Sequence, residues 1–178
     1  MRIDLDDGYR LRAFEEGDIE SIVKYANNRK VAQTLEDRFP HPYGRIDAAA
    51  WLESLAKQDP LTHFAIATEE EAIGSIGMNL RHDVYFRTGE IGYWLGEPFW
   101  GRGIATSAVR ALSRWAFLSF DLVRLQARVF DSNSASRKVL EKAGFTYEGR
   151  LRQAATKNGK TMDLHIYALL RNELEKTS

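Results

Sequence analysis

A chain of 178 residues with 44% hydrophobic content has material for a single domain over residues 1–178 with a sizeable core, and is too apolar for a disordered chain. Lys plus Arg equals Asp plus Glu, 25 each, which argues against broad electrostatic capture of nucleic acid or an anionic membrane. With no cysteine, disulfides, thiolate metal sites and a cysteine nucleophile are excluded. The opening MRIDLDDGYRLRAF has no apolar h-region, and no apolar run approaches the roughly 20 residues of a membrane span, so the expectation is a cytoplasmic protein.

In chain order, residues 9–14 alternate as a strand does. Asp18 is placed to cap a helix carrying Ile19, Ile22, Val23 and Ala26, which Asn27 and Asn28 interrupt. A short helical piece over 30–35 follows, and FPHPYG at 39–44 is a loop. Asp47 opens a helix with Ala50, Trp51, Ser54 and Leu55 on one side, ended by Pro60. Residues 62–68 and 72–81 form a hairpin across the solvated Glu69-Glu70-Glu71 turn, and 82–87 connects onward.

The stretch GEIGYWLGEPFWGRGIATSAVRALSRWAF then reads strand, glycine-rich turn, helix. The strand must end by Pro98, which cannot donate to a ladder. From Ala105 the apolar spacing becomes helical, through Ala108, Val109, Leu112, Trp115 and Ala116. A helix N-terminus has unpaired N–H groups and partial positive charge, and glycines let an anion approach them. Arg102 adds a full charge, so a pyrophosphate suits this loop; a packing role for its glycines is the plainer alternative. Residues 122–130 form the next strand, and Asp131-Ser-Asn-Ser134 caps a helix with Ala135, Val139, Leu140 and Ala143. Gly144 ends that helix, with Phe145 as the apolar residue beyond. Residues 147–156 and 162–170 flank Asn158-Gly159, the preferred pair for a two-residue hairpin turn. The fold class is α+β: a mostly antiparallel sheet with one central parallel, splayed strand pair flanked by helices. Ligands bind beyond the carboxyl ends of parallel strands, here 94–96 and 129–131.

The segment WGRGIA followed by Thr106 resembles the acyl-CoA pyrophosphate loop of the GNAT N-acetyltransferases, Gln/Arg-x-x-Gly-x-Gly/Ala, with Gly103 and Ala105 at the last two marked positions and Trp100 in place of Gln/Arg. FDSNSASRKVLEKAGF from Phe130 to Phe145 resembles the family's second hallmark, with Asn133, Ser136, Lys142, Gly144 and Phe145 at matching positions. FPHPY, EIGYWL, FWGRGIAT and FTYEGRLRQ resemble the RimJ/RimL-type branch, the ribosomal-protein N-terminal acetyltransferases, over nearly the whole chain. The resemblance implies acetyl transfer from acetyl-CoA to a primary amine, either a protein N-terminus or a small molecule, in a ternary complex without metal. It implies coenzyme contacts from Trp94, Leu95, Gly101, Arg102, Gly103, Ile104, Ala105, Thr106, Asn133 and Ser136, and a homodimer.

Acyl transfer from a thioester needs a neutral amine, donors for the tetrahedral oxyanion, and a proton for the departing thiolate. Glu90 is the candidate base, an exposed or salt-bridged carboxylate being its bland role. Ser136 is the candidate acid, an ordinary first-turn helix residue being its bland role, and the backbone N–H near Trp94–Leu95 is the oxyanion donor. RimL-like enzymes place a glutamate where this chain has Ala155, and many GNAT enzymes a tyrosine where it has Leu140. Those departures motivate a rival: a non-catalytic acyl-CoA sensor or partner-docking module on the same fold. A nucleotide-phosphate binder is a third possibility, but the chain lacks a Walker Lys-Ser/Thr and a G-x-G-x-x-G. His41, His63, His82 and His165 lack metal-ligand spacing, although His82 just past a strand is placed either to line an acceptor site or to lie on the surface. Phe39, Tyr43 and Trp51 are open to two roles, acceptor cleft or core.

Overall fold

The computed structural model describes residues 2–177. Among them the chain forms eight strands and five α-helices, and divides into two compact units, Met1–Gly77 with Tyr93–Ala108 and Met78–Gly92 with Val109–Ser178. Three elements run from one unit into the other: β4 (Ala72–Leu80), β5 (Thr88–Leu95) and α4 (Ile104–Ser119). No described helix is long and apolar enough to cross a membrane.

In the first unit, β1 (Arg2–Asp4), β2 (Arg10–Arg12), β3 (His63–Ala67) and β4 pair in succession, all antiparallel. β1 is an addition to the expected elements: three residues, none buried, are too short a pattern to read. Phe64–Ala67 and Ala72–Gly77 are buried without alternation, as in strands covered on both faces. α1 (Ile19–Ala26), α2 (Arg29–Ala32) and α3 (Arg45–Ala56) follow β2. Ile22, Ala26, Tyr43 and Ala48 form a buried cluster, against which Phe14, Phe39, Leu52 and Trp94 pack.

Two expected caps work differently. Asp18 makes no side-chain cap on α1; its carboxylate turns back to Arg12, accepting two bonds of 2.7 Å, and to the Glu15 N–H at 2.8 Å. α3 starts at Arg45, so Asp47 lies inside the helix rather than at its start, and reaches back to the Gly44 N–H at 2.8 Å. The inward face of α3 is Ala48 and Leu55 with half-buried Trp51 and Leu52, while Ala50 and Ser54 face solvent.

In the second unit, β5 and β6 (Arg124–Phe130) form the expected parallel pair. Their pairing runs from Thr88↔Arg124 to Glu90↔Gln126, and both strands continue past it. β8 (Lys160–Leu170) pairs antiparallel with both β6 and β7 (Thr146–Lys157). Asn158 and Gly159 both have positive φ, 52° and 74°, as the two-residue hairpin turn requires. α5 (Ser134–Lys142) ends before Gly144, and Leu140, Ala143 and Phe145 are buried.

Asp18 is 5% exposed, so its ion pair with Arg12 is a buried one. Burial alone would raise its carboxyl, but hydrogen bonds from Arg12, Glu15 and Ala72 and the Arg12 charge outweigh it and hold the group below its ordinary value. A carboxyl depressed on folding stabilises above its unfolded pKa, and that contribution fades as pH falls through the folded value. Asp18→Asn should therefore cost about 3 kcal/mol at pH 7. The gap in melting temperature between the two proteins should narrow below about pH 4; a pH-independent gap would contradict the assignment.

Candidate active site

The expected diphosphate loop lies wholly in the first unit. β5 ends at Leu95, and the Gly96 N–H donates to the Ile73 carbonyl at 2.8 Å. A Cβ at Gly96 would stand 2.9 Å from the Tyr25 ring, so only glycine lets β5 leave against α1 here. A single 3-10 turn, Glu97–Phe99, carries the chain onward. Glu97 accepts from Asn28 Nδ2 at 2.7 Å and pairs with Lys30; these contacts, Lys30 foremost, hold its carboxyl below the usual range. The Phe99 ring meets Tyr25 edge-on at 5.3 Å. Trp100 then folds back, its indole N–H donating to the Leu95 carbonyl at 2.7 Å. The turn is thus tied to α1, to α2 and to the strand it leaves.

Gly101 and Gly103 have φ of 77° and 80°, where an L side chain is strained. The positions their Cβ atoms would take face open space. The first rung of α4 is the Ser107 N–H to the Gly103 carbonyl at 3.0 Å, which leaves the N–H groups of Ile104, Ala105 and Thr106 without an intrahelical acceptor. Gly101, Arg102 and Gly103 are exposed, Ala105 and Thr106 half-buried, and Ile104 is buried and anchors the helix start. The Arg102 guanidinium stands 5.6 Å over the Phe99 ring. Exposed glycines, orphan N–H groups, the helix dipole and one guanidinium together make a cradle for an anion.

Trp94 and Leu95 are placed by packing. Trp94 joins the buried cluster, 5.7 Å from Phe39, and its carbonyl lies where a Cβ on Gly74 would come within 2.4 Å. Tyr43 belongs to the same buried cluster with Phe39 packed against it, while half-buried Trp51 packs edge-on to His63 at 5.6 Å. Burial pushes His63 down to about 4, with Arg38 adding to the shift, so it is neutral at pH 7. His82 is exposed. Glu71 is part of no free turn: it accepts from Tyr25 Oη at 2.6 Å and pairs with Lys24.

The other candidates lie in the second unit. The Glu90 side chain is 15% exposed, and both oxygens are engaged. Oε1 accepts from Arg128 Nε at 2.7 Å; Oε2 accepts from Gln126 Nε2 at 3.1 Å and Arg81 at 3.2 Å. Asn133 is the N-cap of α5, its Oδ1 accepting from the Ser136 N–H at 3.1 Å. Asn133 and Ser136 are half-buried and held together by this cap. Leu140 is fully buried and its aliphatic side chain offers no acid group, and Ala155 of β7 sits opposite Met162 of β8. Among the described residues no group of three His, Asp or Glu side chains could hold a metal ion. Sequence reasoning missed the bracing by Tyr25, Glu97 and the Trp100 indole; only Trp100 gave a signal, as the aromatic at the marked Gln/Arg position.

The family model described as "Acetyltransferase (GNAT) domain" matches residues 9–146. The chain is 31% identical to the "Uncharacterized N-acetyltransferase p20" of Bacillus licheniformis over 92% of its own length and 93% of that protein's. It is 38% identical to the "Ribosomal-protein-serine acetyltransferase" of Escherichia coli over 105 residues, 59% of this chain and 58% of that protein. Among solved structures, it is similar to Mycobacterium smegmatis RimJ in complex with CoA-disulfide, with a TM-score of 0.80 at 25% identity, covering 98% of this chain and 88% of that one.

Two substitutions at one position separate backbone strain from charge. Gly103→Ala asks an L residue to adopt φ 80°, a strain of about 1–3 kcal/mol, with open space for its methyl. It should weaken CoA binding partially. Gly103→Glu adds a carboxylate to the cradle and should abolish CoA binding by calorimetry; retained affinity would remove the diphosphate from this loop.

Proposed function

The chain belongs to the GNAT acetyltransferase family, and on that premise we propose that it transfers the acetyl group of acetyl-CoA to the α-amine of a protein N-terminus by direct attack in a ternary complex. The observation that carries the reading is the open cradle at residues 101–106, whose glycines and unpaired helix N–H groups suit the coenzyme diphosphate. The E. coli relative is named for acetylating a ribosomal-protein serine, which favours a protein acceptor over a small amine.

The amine nitrogen forms a bond to the thioester carbonyl carbon, whose oxygen takes up the negative charge. The C–S bond then breaks, the amide retains the acetyl group, and the CoA thiolate and the amine's surplus proton leave. An α-amine, with a pKa near 8, is partly neutral at pH 7, whereas a lysine amine near 10.4 is almost wholly charged. An N-terminal acceptor therefore makes the smaller demand on a base. That matters because Glu90 can take a proton only if Gln126, Arg81 or Arg128 yields a position on it. We assign Glu90 that role, with Arg81, the longest of the three contacts at 3.2 Å, giving way. Ser136, tied to Asn133 at the start of α5, is assigned as proton donor to the thiolate. The diphosphate is assigned to the 101–106 loop, and Asn133 is assigned as a contact of the pantetheine arm. Proximity can supply about 7–11 kcal/mol and general acid–base help about 10²–10⁴ in rate, so holding the reactants together contributes more.

The engaged carboxylate of Glu90, with Ala155 and buried Leu140, favours one second reading: an acyl-CoA-binding module without turnover. Thiol release from acetyl-CoA, screened over N-terminal peptides and small amines with the mass increment read on the acceptor, separates the two. We expect release with peptides bearing a free N-terminus; binding of acetyl-CoA without release from any acceptor would leave only the sensor. In the active enzyme, Glu90→Gln should lower kcat modestly, about tenfold to a hundredfold, and shift the pH profile. A lowered kcat with an unchanged profile would move the base elsewhere.

A further inference from the structure

β8 places His165 and Tyr167 two residues apart, on one face of the strand. Tyr167 Oη donates to Glu141 on α5 at 2.9 Å. His165 Nε2 lies 2.8 Å from Asp131 Oδ1, in the turn that leads into α5. The Tyr147 ring of β7 stands against both, 5.7 Å from the imidazole and 5.4 Å from the phenol. β8 thus holds α5 at Glu141 and the turn before it at Asp131.

His165 is 7% exposed, and its Nδ1 is buried with no partner among the described residues. An imidazole in that place carries an unpaired polar atom that an apolar side chain would spare. Its Nε2 is directed at Asp131, which is itself largely exposed. A carboxylate only accepts, so Nε2 carries the hydrogen that Asp131 receives, and Nδ1 stays inward without a partner. The turn it reaches is short and fully specified. The Asp131 N–H donates to the Asp163 carbonyl at 3.0 Å, the Asn133 N–H to the Phe130 carbonyl at 2.8 Å, and the Ser136 N–H to Asn133 Oδ1 at 3.1 Å. The Asp131 side chain adds a second, side-chain tie from the turn to β8 beside the backbone bond to Asp163.

We propose that His165 is a positioning residue for coenzyme binding: through Asp131 it sets the turn that presents the Asn133 amide and the Ser136 hydroxyl to the pantetheine arm. The proposal rests on the reading of Asn133 and Ser136 as coenzyme-binding residues. Other charges face the same carboxylate. Arg137 of α5 and Arg150 of β7 act on Asp131, and Asp163 of β8 partly occupies Arg150. The hydrogen bond from His165 is foremost among the influences that hold Asp131 below the ordinary carboxyl range. The guanidinium groups attract the carboxylate but do not dictate where its oxygens point, whereas the buried ring does.

The test is the affinity of CoA by calorimetry, with melting temperature recorded for each variant. His165→Met keeps the bulk and removes the donor, and should weaken CoA binding about five- to tenfold, the worth of one lost hydrogen bond. His165→Gln, whose amide can donate from nearly the same place, should bind within about twofold of the unaltered protein. Asp131→Ala, at an exposed position that leaves the core intact, should match His165→Met, and the double variant should be no weaker than either, as for two residues in one path. Unchanged affinity in Asp131→Ala, or equal loss in His165→Gln and His165→Met, would overturn the proposal and leave His165 a packing residue. Failure of the unaltered protein to bind CoA would instead strike the coenzyme reading on which the proposal stands.

Discussion

The structure turns on one requirement: a turn that must leave backbone N–H groups unsatisfied and open to solvent, yet hold still. Ordinary folding satisfies such groups, because a buried unpaired N–H is costly. At the start of α4 the N–H groups of Ile104, Ala105 and Thr106 have no intrahelical acceptor. Stillness must then come from around the turn. It comes from the indole hydrogen bond of Trp100, the two contacts on Glu97 and the Tyr25–Phe99 edge. It also comes from glycines with a tight fit: at Gly74 and Gly96 a methyl would collide with Trp94 and Tyr25. The glycines of the turn itself do the opposite work, since at Gly101 and Gly103 a methyl would meet nothing and only the backbone angle demands glycine.

The same division of labour holds in the second unit. α5 is seated by Leu140, Ala143 and Phe145, which supply burial without direction. Direction comes from a few polar contacts: Asn133 caps the helix, Tyr167 holds Glu141, and His165 holds Asp131. Glu90 is the extreme case, a half-buried carboxylate with three side chains donating to it. Such an anion is costly to leave unpaired, so the network around it is complete before any substrate is considered.

Much of this was legible in the sequence wherever the signal was local. The change from strand to helix spacing around Gly101 and Gly103, the cap at Asn133 and the Asn158-Gly159 hairpin all depend on residues a few positions apart, and each stands where the pattern put it. What escaped was long-range polar pairing. Asp18 is a good cap residue by type, but Arg12 on the neighbouring strand took its carboxylate. Glu71 looked like part of a solvated acidic turn, but Tyr25, distant in sequence, reaches it. Glu90 met Arg128 in the same way. Aromatics gave the other ambiguity: Phe39, Tyr43 and Trp51 suit a cleft or a core equally by composition, and the packing puts Tyr43 in the core with Phe39 against it.

Polar pairing of this kind also shapes the chemistry. A carboxylate held by three donors is a poor place to move a proton quickly, but a good place to hold two guanidinium groups and an amide in register beside a parallel strand pair whose pairing ends at that residue. A polar group engaged in the resting state must exchange one partner for another before it acts, and each exchange adds to the barrier. An enzyme built this way gains most from substrates that ask little of its base and much of its positioning. That favours an amine which is already partly neutral, with a pKa near 8, over one near 10.4. On the proposed role of Glu90, an α-amine acceptor and a crowded carboxylate answer to one physical constraint.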